Sequence, residues 1–322
     1  MKPAAPVTTI IQSDFCCEGR EIRKAFRLLI GLFLFFTASG CNQNGEQKKE
    51  KGRLIRDPEG NILQLQSGPF RLMALSPAIT EMLFALLPDS SIIAVTPHCN
   101  YPPDRVNKKP RVSVMPLDFE KIISLKPTLI FTEEGITSAG DLQRLRELQI
   151  PVVSFRYSRV SDVLSAMDSI CSWTSAGISA RHLCDSLRRE LFHFEKNLTS
   201  SGQSRKKSIL ALTWTDPIFA YGHNTWMTDK MRLAGGRNVI GEMHAKPYPV
   251  LEREQVLKLN PDVLFGGSFG KMDSSFFRMY PELKQIRAYR NRAVFELNDD
   301  LASRPGPRFP EGIREIQAYL SR

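Results

Sequence analysis

Four charged side chains, Asp299, Asp300, Arg304 and Arg308, crowd around Pro305-Gly306-Pro307 near the end of the chain. Carboxylates accept hydrogen bonds and a guanidinium donates from a planar fork, so such a cluster can grip the polar edge of a ligand. Pro305 and Pro307 stiffen the turn that presents it, Gly306 relieves the crowding between them, and Pro310 suits the first turn of a following helix. The simpler alternative is an Asp-Arg pair that braces its own loop. Three of the five histidines, His98, His223 and His244, fall in loops that would face a common cleft. His182 and His193 read as surface positions on a long helix. The spacing of the loop histidines matches no metal signature. The chain has no GxSxG, HExxH, P-loop or dinucleotide-binding glycine turn, and "GGRNVIG" is merely glycine-rich. No catalytic residue or metal ligand is assigned. The pattern points to binding.

The elements that must position these groups alternate. "FRLMAL", "SIIAVT", "PTLIFT" and "PVVSF" read as strands, separated by the helical stretches "SPAITEMLFAL", "LDFEKIISL" and "AGDLQRLRELQI". Ser76 and Asp118 stand as caps and Pro77 as a first helical residue. Short apolar strands alternating with helices predict α/β architecture with parallel sheets covered on both faces. "ISARHLCDSLRRELFHFEKNL" carries Leu183, Leu187, Leu191 and Phe194 at helical spacing, predicting a helix roughly 30 Å long. After it, "SILALTW" to "RAVFEL" begins the alternation again. The expected layout is a signal peptide over 1–40, a lipidated tether over 41–67, and a first lobe over 68–177. A connecting helix over 178–200 and a second lobe over 205–322 complete it.

The first fifty residues set the compartment. Arg20, Arg23, Lys24 and Arg27 precede an apolar run from Leu28 to Phe36 and small residues up to Cys41, the pattern of an export signal. The box before Cys41 resembles a bacterial lipoprotein processing site, with Ala38 where leucine is usual. Cys41 is then the lipidated first residue, on the periplasmic face of a membrane or on the cell surface where no outer membrane exists. Residues 1–19 are long for a leader and fit a start codon placed too early. Up to Arg53 there are nine Lys or Arg against five Asp or Glu, so +4 of the +10 net charge lies outside the fold. The remaining +6 is unremarkable and gives no reason to expect nucleic acid. Once Cys16, Cys17 and Cys41 are set aside, Cys99, Cys171 and Cys184 remain. Cys171 and Cys184 are either a disulfide pair or buried thiols.

One segment occurs twice. "FEKIISLKPTLIFT" and "REQVLKLNPDVLFG" superpose without a gap, placing Glu120 on Glu254, Leu125 on Leu259, Pro127 on Pro261 and Phe131 on Phe265. The apolar and proline matches are packing requirements. The glutamates either favour their helix N-termini through the dipole or form matching charges for a partner with two-fold symmetry.

"RLMALSPAITEMLFAL", "NYPP", "FEKIISLKPTLIF", "LAGGRNVI", "EREQVLKLNPDVLF" and "RPGPR" together resemble the periplasmic cobalamin-binding proteins of ABC importers. These belong to the helical-backbone group of substrate-binding proteins, which also serves iron siderophores and haem. The resemblance runs from about residue 70 to the C-terminus and implies two α/β lobes joined by one long rigid helix. It places Ala78, His98 and Met115 against the ligand from the first lobe, and Phe219, Tyr248, Asp300 and Arg304 from the second. It also implies that Glu120 and Glu254 dock the lobes, as a monomer, onto a dimeric permease. His98 stands where a cobalamin binder of the family has an aromatic and Met115 where it has tryptophan. His98 is open to two readings, an axial ligand to a metal centre or an imidazole satisfied by nearby backbone. The expected function is delivery of a corrinoid, cobalamin first, with a ferric siderophore or haem as the alternative. An exported metal-dependent enzyme is the alternative from another class.

Overall fold

The segment expected to be tether opens the fold instead. The computed structural model describes residues 52–66, 68–200, 206–241, 246–266 and 272–322. In it, β1 (Arg53–Arg56) and β2 (Ile62–Leu65) pair antiparallel. Ile55 and Leu65 are buried in the core, and Arg53 donates to the Ser172 carbonyl at 2.7 Å. A tether reaching residue 67 is therefore corrected: inward apolar residues on strands of only four residues anchor a hairpin, too short a period to read amid charge. The leader, Cys16, Cys17, Cys41 and His244 lie outside the described residues.

The first sheet holds β3 (Leu72–Ala74), β4 (Ile92–Ala94), β5 (Leu129–Glu133) and β6 (Val152–Phe155), ordered β4-β3-β5-β6 and parallel throughout. Its strands are almost wholly buried because helices cover both faces. Those helices are α1 (Pro77–Leu86), α2 (Phe119–Leu125), α3 (Ala139–Glu147) and α4 (Val160–Thr174). Ser76 caps α1, its hydroxyl accepting from the Ile79 N–H at 3.2 Å. Such a cap is worth about 1 kcal/mol.

The long helix is α5 (Ile178–Ser200). It turns Ala180, Cys184, Leu187, Leu191 and Phe194 inward, at alternating spacings of four and three. That stripe joins a single apolar core running from the first sheet to the second, while the far face of each sheet has a core of its own.

In the second sheet β7 (Ser208–Thr215) pairs parallel with β9 (Arg237–Asn238) and β11 (Val263–Gly266), and β11 with β12 (Val294–Glu296). β8 (Ile218–Ala220) folds back antiparallel on β7, and β10 (Val250–Leu251) lies antiparallel on β8. This sheet is mixed rather than purely parallel. Its helices include α6 (Trp226–Leu233), α7 (Arg253–Leu259), α8 (Asp299–Ser303) and α9 (Phe309–Leu320). Lys230 of α6 is fully buried and donates to the carbonyls of Leu301 and Ala302 at the end of α8. Gly312 makes this closure possible, since a Cβ there would lie 3.0 Å from the Leu301 oxygen and 3.2 Å from the Lys230 ammonium. No helix among the described residues is long and apolar enough to cross a membrane.

Candidate functional site

The carboxyl ends of β5, β6, β7 and β8 open on a cleft of about 810 Å³. Ligands of open α/β sheets bind at such ends, where strands give way to loops. Glu133, Tyr157, Tyr221, His223, Trp226 and Tyr248 line it, with Ser303 and Pro305 from the charged C-terminal loop. Tyr221 and Tyr248 meet edge to face with centroids 5.9 Å apart. Trp226 is buried, and its indole N–H has no acceptor among the described residues. A second hollow of about 510 Å³, holding Met115, adjoins the cleft across Glu134, Gly135 and Ile136, which line both.

Charge in the cleft is balanced toward acid. Arg156, the one cation among the described lining residues, is held by Glu134. Glu133 ends β5, where burial raises its carboxyl to about 7, opposed by a hydrogen bond with Ser76 and the charge of Arg304. Burial likewise raises the phenols of Tyr157, Tyr221 and Tyr248, so phenolate is scarce there.

The arginines of "RPGPR" turn away from this space. Arg304 donates to Glu81 at 3.1 Å and pairs with Asp300 at 2.7 Å, and Arg308 grips both Glu81 oxygens at 2.7 and 2.8 Å. Asn100 donates to Asp300 at 2.9 Å, and Arg308 stacks over Tyr101 at 4.1 Å. Glu81 sits on the buried face of α1, its side chain 2% exposed. The cluster therefore locks the second lobe onto the first, beside the cleft, with Pro305 presented to it. A buried carboxylate requires such partners, because leaving it unpaired costs several kcal/mol.

The expected ligand residues fall into three places. Tyr248 lines the cleft, 53% exposed, and Met115 the adjoining hollow, 81% exposed. Asp300 and Arg304 are in the inter-lobe cluster. There Ala78 packs under Gly306, and the backbone oxygen of exposed His98 accepts from Arg304 at 3.4 Å. Phe219 is half-buried on β8, opposite Val250 and Trp214. Glu133, Tyr157 and Glu81 were not among the expected residues. Glu81 was detectable as an acid inside an otherwise apolar helix. Glu133 and Tyr157 were detectable as polar groups where buried strands end.

Glu120 and Glu254 are each the second residue of a seven-residue helix, α2 and α7. Each helix buries one residue, Ile122 or Val256, and closes on a left-handed residue, Lys126 or Asn260. Both glutamates are exposed. Among the described residues no group of three His, Cys, Asp or Glu is placed to hold a metal ion.

A sheet-end cleft between two lobes joined by one helix is the arrangement of an extracytoplasmic binding protein, a class that captures a molecule and does not transform it. This chain belongs to the periplasmic binding protein family, whose sequence profile matches residues 72–301. It is 25% identical over 290 residues to the ABC transporter substrate-binding lipoprotein YvrC of Bacillus subtilis, covering 86% of this chain and 91% of YvrC. It is 24% identical over 246 residues to the vitamin B12-binding protein of Vibrio parahaemolyticus, covering 76% and 87% of the two chains. The fold superposes on the vitamin B12-binding protein BtuF of Vibrio cholerae with TM-score 0.67 and 22% identity, covering 79% of this chain and 97% of BtuF. On the periplasmic heme-binding protein RhuT of Roseiflexus sp. RS-1 the TM-score is 0.66 at 21% identity, covering 79% and 98%.

Proposed function

We propose that this chain is the lipid-anchored binding component of an ABC importer and that it carries a corrinoid, cobalamin first. The observation that carries the choice of ligand is the charge of the cleft. A ferric siderophore or haem brings carboxylates or other anionic groups, which call for free cations. Among the described lining residues Arg156 is paired, and Arg304 and Arg308 are committed to Glu81. A neutral ring fringed with amides suits aromatic walls with a few polar groups, here Tyr157, Tyr221 and Tyr248 with Asn224 and Ser303. The vitamin B12-binding relatives support the same reading.

Haem is the second reading, because Tyr157, Tyr221, Tyr248 and His223 supply phenol and imidazole groups of the kind that hold haem iron. The raised phenols weigh against it, since a phenolate ligand must first lose its proton. Calorimetric titration of the fragment beginning after Cys41 separates the two. One-to-one heat with cyanocobalamin, at submicromolar affinity and without competition from haemin, is expected. Saturable haemin binding with no heat from cobalamin would move the ligand to haem and leave the fold argument standing.

A further inference from the structure

Cys171 lies in the last turn of α4 and Cys184 two turns into α5, with a tight corner between the helices. Ser175 at φ 53° stops α4, the Ala176 N–H returns to the Cys171 carbonyl at 3.0 Å, and Gly177 leads into α5. The corner turns the helices antiparallel. Asp168, three residues before Cys171, pairs at 2.7 Å with Arg188, four residues after Cys184. That ion pair sits one turn along the seam and sets a register in which the two cysteines face each other. Both are buried free thiols, at 9% and 3% exposure, and near enough for each to act on the other's titration. Cys99 stands apart against the hydroxyls of Thr80 and Thr96, each at 3.1 Å.

We infer that Cys171 and Cys184 are joined by a disulfide in the exported protein. An extracytoplasmic chain meets an oxidising compartment, and two thiols opposed in one helix seam are placed to close. The oxidant is the disulfide of an envelope dithiol oxidase. One cysteine thiolate attacks it to form a mixed disulfide, and the second attacks the protein-side sulfur. The oxidase leaves as a dithiol carrying the two electrons and two protons lost by the pair. Burial pushes the Cys184 thiol up to about 12 and raises Cys171 too, so thiolate is rare once the seam has packed. The exchange therefore belongs to the newly exported chain, before packing is complete. The staple would fix the start of the connecting helix to the first lobe and confine lobe movement to the contacts of α5 beyond it.

The full chain, exported by its own leader and digested under denaturing, non-reducing conditions with free thiols blocked by N-ethylmaleimide, tests this directly. Trypsin cuts after Arg159, Arg181 and Arg188, so the cysteines fall in separate peptides, 160–181 and 182–188. A linked pair of these peptides that separates on reduction is expected. Recovery of both as maleimide adducts before reduction would overturn the inference. Protein reduced in denaturant and refolded should melt roughly 5–10 °C below the oxidised form, the scale for closing a loop of this length. The Cys171→Ala/Cys184→Ala variant should show no such difference. An equal fall in that variant would place the effect elsewhere and overturn the staple's contribution.

Discussion

The two lobes are alike on the outside and unlike on the inside. α2 with β5 and α7 with β11 repeat one unit, down to a seven-residue helix, a left-handed cap and a glutamate at the second helical position. Within the cleft the repetition ends. The first lobe's four-stranded sheet is purely parallel and offers acidic groups at a strand end, Glu133 and Glu134. The second adds antiparallel β8 and β10, whose flanking loops bring in Tyr221 and Tyr248. A symmetric partner constrains both lobes in the same way, whereas an asymmetric ligand constrains each differently. On the proposed function, the likeness fits a docking face for such a partner and the difference fits the pocket.

The comparison breaks most visibly at the glutamates. Glu120→Lys with Glu254→Lys should abolish uptake in cells while calorimetric affinity for the ligand stays within about twofold, since both residues lie outside the cleft. Each substitution also loses a helix-terminus contribution of about 0.3–1 kcal/mol, too little to unfold the protein. Normal uptake by the double variant would reduce the matched pair to helix capping.

The next effect concerns the cluster where the lobes meet. Glu81→Ala strands Arg304 and Arg308 in a largely buried contact, and removing one member of a buried pair costs about 3–5 kcal/mol. A fall in Tm of roughly 10 °C is expected. A fall of only a degree or two would mean that the arginines find other partners and that the lobes are held by the apolar core around α5 alone.

Legibility in the sequence follows the same division. The repeated unit could be read because local rules specify it: Ser76 and Asp118 cap, Pro77 starts α1, and apolar residues at period three or four line α5. The loop around Pro305 was legible as a site of held charge, but what it holds was not. Glu81 lies 223 residues from Arg304, and no local pattern encodes that pairing. The β1–β2 hairpin and the antiparallel β8 and β10 escaped for a related reason. β3 and β4, also only three residues long, stood out as continuous apolar runs. β1 and β2 instead alternate with polar and charged residues, and β8 and β10 follow Pro217 and Pro249 in stretches that read as loop. The antiparallel pairing of all four is decided by the neighbour they meet.

Inside the pocket, Tyr248→Ala removes one aromatic wall from the second lobe. Loss of such a ring should weaken ligand binding by about 1–2 kcal/mol, roughly five- to thirtyfold, with Tm nearly unchanged because the side chain is half exposed. Unaltered affinity would place the ligand on the Met115 side of the Glu134–Ile136 loop.

The smallest expected effect lies on the first lobe's side and is read in pH. Glu133 faces Ser76 and Arg304 and exerts its charge on the phenols of Tyr157 and Tyr248. Its folded value of about 7 stands above the ordinary 4.5, so between those values the folded chain holds a proton that the unfolded chain has lost. The stabilisation linked to that proton is full below about pH 4.5 and is lost as pH rises through about 7. A neutral ligand covering the carboxyl would desolvate it further and take up a fraction of a proton on binding. Affinity should then fall by roughly two- to fivefold between about pH 6 and about pH 8, for a further upward shift of about half to one pH unit. Glu133→Gln should bind with little dependence on pH across that range. If the variant keeps the wild-type slope, the proton resides on another group and the acid strand end only shapes the cleft.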